Sequence, residues 1–436
     1  MSYTHEDVGS SPTISFFAYV HIYKCNYIKM DCVKYERHID KEMINSSLNI
    51  VRKFISKRGY LLVGGQAIDY ALRLKGSELY DECTFPDYDF LAPDSVAAAY
   101  DLGEILAKDY ENISVINAIH PSTMRVRINF IVVADITYCP QNVFDVIPTL
   151  NYKGMNIVHP LFQRLDMHNS LCNPFDNPPR ETIFHRWEKD LKRRMMFDEF
   201  YPVTMIKSKN FSTTSSIKEK TTVDLTMLED SLITGFVAYW ILMKHYSVTT
   251  SLMPKVEFTD DNLECNYPIT LVKDDPQDLY EKGYDHYASW LEKRPDMWVI
   301  KNVQIYNSSS LSISYDVINL KVNGKSRDFH VANNEHIMQY FLTMFFETGE
   351  KTYFDYYENL YKLSIEFKMP LSVKVFASKK DFHLTEYSKR STYNDIYNKK
   401  ETSRPLNYFP PRNTRPDDFD MASLQLDGIL EKDRKS

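Results

Sequence analysis

The sequence has 436 residues, a formal net charge of −7 and 43% hydrophobic residues. That length calls for two or three domains, and the apolar share is ample for packed cores. The acidic balance excludes a surface coated throughout with nucleic-acid-binding charge, but leaves room for a local basic track.

Tyr and Phe are abundant, at 31 and 25, while Gly numbers only 12, a balance that suits a folded enzyme better than a flexible scaffold. The six cysteines, Cys25, Cys32, Cys83, Cys139, Cys172 and Cys265, form no CxxC pair and stand beside no histidine cluster. Neither a zinc site nor a disulfide framework is expected from them. The apolar runs "ISFFAYVHIY" and "SLITGFVAYWILM" fall short of the roughly 20 residues a membrane span needs. The second reads as a buried core helix.

In chain order, residues 1–29 are irregular and read as an N-terminal extension. From Met30 to Arg58 the pattern is helical, with Ile44, Leu48, Val51 and Ile55 at three- and four-residue spacing and Gly59 as the stop. "YLLVGG" is a short strand ending in two glycines, and "QAIDYALRL" continues as a helix. "PDYDFLAP" is a brief strand bounded by prolines, followed by a helix that Ser95 would cap. "TMRVRINFIVVADITY" alternates as one strand or two joined strands, with apolar even positions from 126 to 136 forming a buried face. Asn177 and Pro178 would open a helix with an Ile183, Trp187, Leu191 stripe.

"FSTTSSIKEKTT", residues 211–222, is small, polar and unpatterned and reads as a linker. It divides a catalytic domain at 30–210 from a C-terminal α+β domain at 223–380. The latter holds a helix near 225–246, strands from about 297 to 332, a hairpin turning at Asn323-Gly324, and helices near 334–347 and 350–366. Residues 381–436 are polar and Pro-punctuated, with Lys and Arg among tyrosines, and read as an extended or disordered tail. Such a tail is either solvated or able to grip single strands by charge and stacking.

Asp87 and Asp89 lie two apart on the expected strand, so their carboxylates share a face. Asp135 ends a neighbouring apolar strand. Three clustered carboxylates need a cation, and oxygen-only ligands favour Mg²⁺ or Mn²⁺. Two such ions about 3.5–4 Å apart would organise an in-line phosphoryl displacement. Gly64 and Gly65 bring bare backbone and a helix N-terminus to an anion, so a metal-chelated triphosphate fits both halves. Arg125 and Arg127, on the strand leading toward Asp135, are candidate phosphate or RNA ligands; the alternative is exposed edge charges. Lys189, Lys192, Arg193 and Arg194 read as cations at a helix end, or as an RNA track. His159 and His168 read as structural.

The order strand–GG–helix, DxD on a strand, then Asp ending another strand resembles the nucleotidyltransferase superfamily built on the DNA polymerase β palm. Two features depart from that pattern. Gln66 follows the glycines where many members have Ser, and the gap from Gly65 to Asp87 is lengthened by "KGSELYDECTF".

The strings "GGQAIDYALRLKGSELY", "PDYDFLAP", "AIHPSTMRVR", "VVADITYCPQNVFDVIPTL", "HPLFQR" and "NPFDNPPRETIFHRWEKDL" are closely similar to the poly(A) polymerase catalytic subunits of large cytoplasmic DNA viruses, of the African swine fever virus and mimivirus type. They cover roughly a third of the chain. The resemblance implies an α+β fold: a palm with a mixed sheet and flanking helices, then a second, degenerate nucleotidyltransferase-like domain. It implies template-independent addition of adenylate from ATP to the 3′ end of single-stranded mRNA. Asp87 and Asp89 would bind both metals, Asp135 the metal beside the primer hydroxyl, and Gly64 and Gly65 the triphosphate. It implies self-association or an accessory processivity subunit, no membrane partner, and work in host cytoplasm, with packaging in virions. A CCA-adding or uridylyl-transferring enzyme, and a non-catalytic RNA-binding subunit with a fossil palm, are the alternatives.

Overall fold

The computed structural model describes residues 41–81, 84–118, 122–172, 180–208, 210–212, 214, 220–273, 285–287, 297–307, 312–367, 369, 374–377, 385–386 and 408–409. The expected N-terminal extension and most of the expected tail lie outside them.

Helix α1 (Lys41–Arg58) buries Ile44, Leu48, Val51 and Ile55, the face their spacing defines. Gly59 stops it at φ +70°, a left-handed turn that costs glycine little. Strand β1 (Leu61–Val63), helix α2 (Gly64–Arg73), strand β2 (Tyr88–Ala92) and helix α3 (Ser95–Leu106) follow. The cap of α3 is Asp94, not Ser95, and its side chain makes no cap bond. Its carboxylate instead accepts the Tyr60 hydroxyl at 2.9 and 3.1 Å.

The long alternating run forms two strands after β3 (Ile113–Asn117): β4 (Thr123–Ile128) and β5 (Ile131–Tyr138). Asn129 and Phe130 turn the chain with φ of 48° and 66°. Phe130 is 87% exposed, so the expected buried face is interrupted there. A bulge between Val126 and Arg127 shifts the pairing of β4 and β5. Without it Arg125 would face Ala134; with it Arg125 faces Asp135.

Helix α4 (Gln141–Phe144), β6 (Thr149–Tyr152) and β7 (Met155–Val158) complete a mixed sheet ordered β3-β4-β5-β2-β1-β7-β6. β2 runs parallel to β5, and β1 parallel to β7. Helices α5 (Pro160–Cys172) and α6 (Arg180–Phe200) follow. Residues 177–178 and the side chains of Ile183, Trp187 and Leu191 lie outside what is described. Phe211, at the start of the expected linker, is buried and packs on the Phe345 ring at 4.4 Å.

The helix expected near 225–246 is broken in three. After β8 (Thr221–Asp224) come α7 (Leu225–Glu229), strand β9 (Leu232–Thr234) and α8 (Gly235–His245). The break is at Gly235, whose φ of +65° an α-helix interior does not allow. β10 (Val256–Phe258) and β11 (Asn262–Cys265) join β8 in a small sheet. Next are β12 (Ile269–Lys273), β13 (Asp285–Tyr287), β14 (Met297–Ile300), β15 (Val303–Asn307), β16 (Ser312–Val322) and β17 (Lys325–Ala332). The β16–β17 hairpin turns at Asn323-Gly324, both left-handed, as the dipeptide predicts. Helices α9 (Asn334–Thr348) and α10 (Lys351–Glu366) match their expected spans closely. Short strands β18 (Lys374–Ala377) and β19 (Thr385–Glu386) extend this sheet, while β20 (Tyr408–Phe409) pairs with β3 at the edge of the first.

The second sheet runs β13-β14-β15-β12-β9-β17-β16 before its extra edge strands. Strand for strand this repeats the first sheet, with the same pairing senses. The turns match as well: Val63 and Gly64 precede and open α2 as Thr234 and Gly235 do α8, with ψ of −174° at both capping residues and φ of 67° and 65° at the two glycines. The fold is therefore a duplicated palm whose sequence repeat has vanished.

A buried ionic network joins the two halves. Arg164 of α5 donates to Asp198 of α6 and to the Tyr361 hydroxyl of α10, each at 2.8 Å. Arg194 of α6 donates to Glu335 of α9, whose other oxygen bonds His168 of α5 at 2.7 Å. Burial pushes the Glu335 carboxyl up, but Arg194 and His168 outweigh it and hold it down to about 2. Removing one charge leaves the others buried and unpaired. We expect Glu335→Gln to cost on the order of 3–5 kcal/mol, read by urea unfolding.

Burial holds His336 down to about 4, and burial, with Arg164, does the same to His159. Their ordinary value is 6.5, so the unfolded chain binds the proton more readily. Their contribution is complete above pH 6.5 and lost as pH falls toward 4. Urea midpoints should decline across that window, and less steeply in His336→Asn.

Candidate active site

Asp89 stands on β2, and Asp87 lies just before the strand begins. The parallel pairing of β2 and β5 sets Asp89 beside Asp135. Oxygens of Asp87, Asp89 and Asp135 lie within 4.8 Å of one another, the only such cluster of potential ligands among the described residues. Burial first, then the Asp135 charge, raises the Asp87 carboxyl. Asp89 is raised well above its ordinary range by burial, then by Asp87 and Asp135. Crowded, partly desolvated carboxylates with no nitrogen or sulfur donor fit a hard divalent cation.

Arg125 grips the triad directly. Its Nε and Nη2 donate to the two Asp135 oxygens at 2.7 and 2.5 Å. That bidentate bond, outweighing burial, raises the Arg125 pKa further. Arg127 is half-buried and its Nε has no hydrogen-bond partner.

Gly64 cannot be another residue. A Cβ there would lie 2.3 Å from Asp89 Oδ2, and φ is +67°. Gly65 is as crowded: a Cβ would lie 2.1 Å from the Tyr80 hydroxyl and 2.9 Å from Arg193 Nη2. No side chain caps α2, so its first N–H groups are available to an anion beside the triad.

Tyr80 and Arg193 are not among the site residues expected from sequence. Tyr80 belongs to "KGSELYDECTF", and Arg193 reads there as one of several helix-end cations. The excess length before Asp87 is the available signal for the first. The i, i+4 spacing of Lys189 and Arg193 is the signal for the second, since both act electrostatically on the triad. Arg194 belongs to neither expected role, being buried against Glu335.

His168 is buried between Glu335 and Tyr357, and His159 Nδ1 accepts the Leu161 N–H at 3.1 Å, so both are structural as expected. Cys139 and Cys265 are free thiols pushed by burial up to about 11, hence inert.

Asp89→Asn removes repulsion when no cation is present. Its thermal midpoint in EDTA should equal or exceed that of the wild type, while the rise on adding Mg²⁺ or Mn²⁺ should be lost.

The sheet order, the glycine turn at β1–α2 and the aspartate triad across β2 and β5 define a nucleotidyltransferase palm. Known proteins agree with it. Residues 49–177 match the family described as Poly(A) polymerase catalytic subunit. A protein of African swine fever virus (isolate Pig/Kenya/KEN-50/1950), named as a candidate poly(A) polymerase catalytic subunit, is 33% identical over 362 residues, 77% of this chain and 73% of the relative. Another, from isolate Tick/South Africa/Pretoriuskop Pr4/1996, is 43% identical over 220 residues, 50% of this chain and 44% of the relative. The crystal structure of the Megavirus polyadenylate synthase shares the fold, with a TM-score of 0.66 and 17% identity, over 99% of this chain and 93% of that one. The chain belongs to the poly(A) polymerase catalytic subunit family of nucleotidyltransferases.

Proposed function

We propose that this chain extends the 3′ end of single-stranded mRNA with adenylate from ATP, without a template. The observation that carries the reading is the intact triad beside an open helix N-terminus. The contrast with the second palm supports it: register places Thr270 and Gln304 where the first palm has Asp89 and Asp135. Pro268 occupies the place of Asp87. A fossil first palm would have drifted in the same way.

In this reading the primer 3′-oxygen attacks the α-phosphorus of ATP. A new phosphodiester bond forms, the α–β bridging bond breaks, and pyrophosphate leaves with the bond electrons. Asp87, Asp89 and Asp135 would hold Mg²⁺ or Mn²⁺, as a pair in the superfamily arrangement, supplying positive charge to the triphosphate and leaving group. Asp135 stands where it would orient the primer hydroxyl and help draw off its proton to water. Arg125 holds that carboxylate in place, while Arg127, half-buried on the same strand, adds positive charge for substrate phosphate. Gly64 and Gly65 admit the triphosphate to the α2 N-terminus. Host cytoplasm as the site of action, packaging in virions, and self-association or an accessory subunit belong to the same proposal.

Primer extension tests it. The protein would receive labelled single-stranded RNA, Mg²⁺ or Mn²⁺, and each NTP separately, beside the Asp87→Ala/Asp89→Ala double variant. Long tails with ATP alone, absent in the folded variant, are expected. Equal use of CTP or UTP would point to another terminal ribonucleotidyltransferase. Wild-type rates in the variant would overturn the site.

A further inference from the structure

The segment between α2 and β2 is not a slack loop. Asp69, buried on α2, accepts the N–H groups of Leu79 and Tyr80 at 2.8 and 3.1 Å. Its second oxygen takes Arg73 Nε at 2.6 Å, and Arg73 Nη2 donates to the Tyr80 carbonyl at 2.8 Å. Both sides of the Tyr80 backbone are thus fixed to the helix whose N-terminus forms the glycine turn. The Tyr80 hydroxyl arrives where a side chain on residue 65 would begin.

Arg193 of α6 meets it, its Nη2 donating to the Tyr80 hydroxyl at 3.1 Å. The guanidinium is 13% exposed and has a weak partner in Asp190 at 3.4 Å. Its Nε is buried with no hydrogen-bond partner. Tyr80 also feels the charges of Asp89 and Asp87. A hydroxyl donor, a guanidinium with an unused N–H and the open N–H groups of α2 therefore converge beside the triad. They face the metal-side carboxylates as the tail of a triphosphate would.

We infer that Tyr80 and Arg193 clamp the β- and γ-phosphates of the nucleotide, and hold the pyrophosphate as it leaves. The assignment rests on the nucleotidyltransferase reading of the site and deepens it. Tyr80 acts as a hydroxyl donor supplied from outside α2, which is why residue 65 has no side chain.

The test is binding of inorganic tripolyphosphate and of AMP to the full chain with Mg²⁺, by calorimetry. Tyr80→Phe keeps the ring and the backbone anchors and removes one charge-assisted bond. Tripolyphosphate affinity should fall on the order of ten-fold, with AMP affinity and thermal midpoint unchanged. KM for ATP should rise by a similar factor, with a smaller change in kcat. Arg193→Gln should weaken tripolyphosphate at least as much. In Tyr80→Ala there is room for a side chain at residue 65, so adding Gly65→Ser should recover part of the lost affinity. Unchanged tripolyphosphate binding in Tyr80→Phe would overturn the clamp. So would equal loss of tripolyphosphate and AMP, which a purely structural role would give. Failure of the wild type to extend RNA with any NTP would sink the polymerase reading instead, because the binding measurement does not depend on turnover.

Discussion

The mutual repulsion of Asp87, Asp89 and Asp135 is the constraint around which the first palm is built. Two parallel neighbours, β2 and β5, hold Asp89 and Asp135 side by side. A bulge at Val133 of β5 sets Arg125 opposite Asp135, so one of the three charges is paired within the protein. The bare Cα of Gly64 leaves room for Asp89. Each feature is unfavourable or neutral alone: a bulge, a left-handed residue, a desolvated carboxylate. Together they keep negative charge concentrated at one locus across β2 and β5, where it fits a cation.

The second palm shows the same scaffold released from that constraint. Thr270 donates to the Tyr340 hydroxyl at 2.9 Å, and Tyr340 donates in turn to Gln304 Oε1 at 3.2 Å. Neutral partners have replaced the charges, and Val299 faces Gln304 where Arg125 faces Asp135. The left-handed glycine is kept here too: a Cβ on Gly235 would lie 3.0 Å from Tyr340 Cε1 and 3.2 Å from Thr270 Oγ1, and φ is +65°. Tyr340, reaching from α9, fills the space beside the turn. In the first palm the corresponding crowding, at Gly64, comes from Asp89 itself, while Tyr80 and Arg193 crowd the next residue, Gly65. The same turn geometry is filled by core packing in one copy and stands beside a carboxylate triad in the other.

Much of this is legible in the sequence because it is local. Although Asp135 lies within β5, which continues to Tyr138, rather than at its end, the glycine pair, the DxD spacing and the apolar run leading to Asp135 encode their own geometry. So does the Asn323-Gly324 hairpin. What escapes a sequence reading is long-range or backbone-driven. The β4–β5 turn at Asn129-Phe130 has no glycine, and its exposed phenylalanine keeps the alternation looking unbroken. The run from Leu225 to Tyr246 is so apolar that strand β9 inside it carries no periodic signal. One glycine marks the break, and it is the same mark that opens α2. Tyr80 lies in an insertion whose purpose depends on Asp69, on the preceding helix, and Arg194 depends on a partner 141 residues away.

Helix α6 connects these levels. Arg193 and Arg194 are consecutive, and consecutive helical residues project about 100° apart. One therefore reaches the glycine turn of the first palm while the other is buried against Glu335 of the second. Glu335 is itself held by His168, and Arg164 ties α5 to Asp198 and Tyr361. A rotation of α6 large enough to withdraw Arg193 from Tyr80 would pull Arg194 out of a buried ion pair, which is strongly opposed. The second palm thus has a mechanical role, because it fixes the azimuth of the helix that carries Arg193. That role needs a buried acid on α9 and a well-packed core behind it, and needs none of the carboxylates that the second palm has lost.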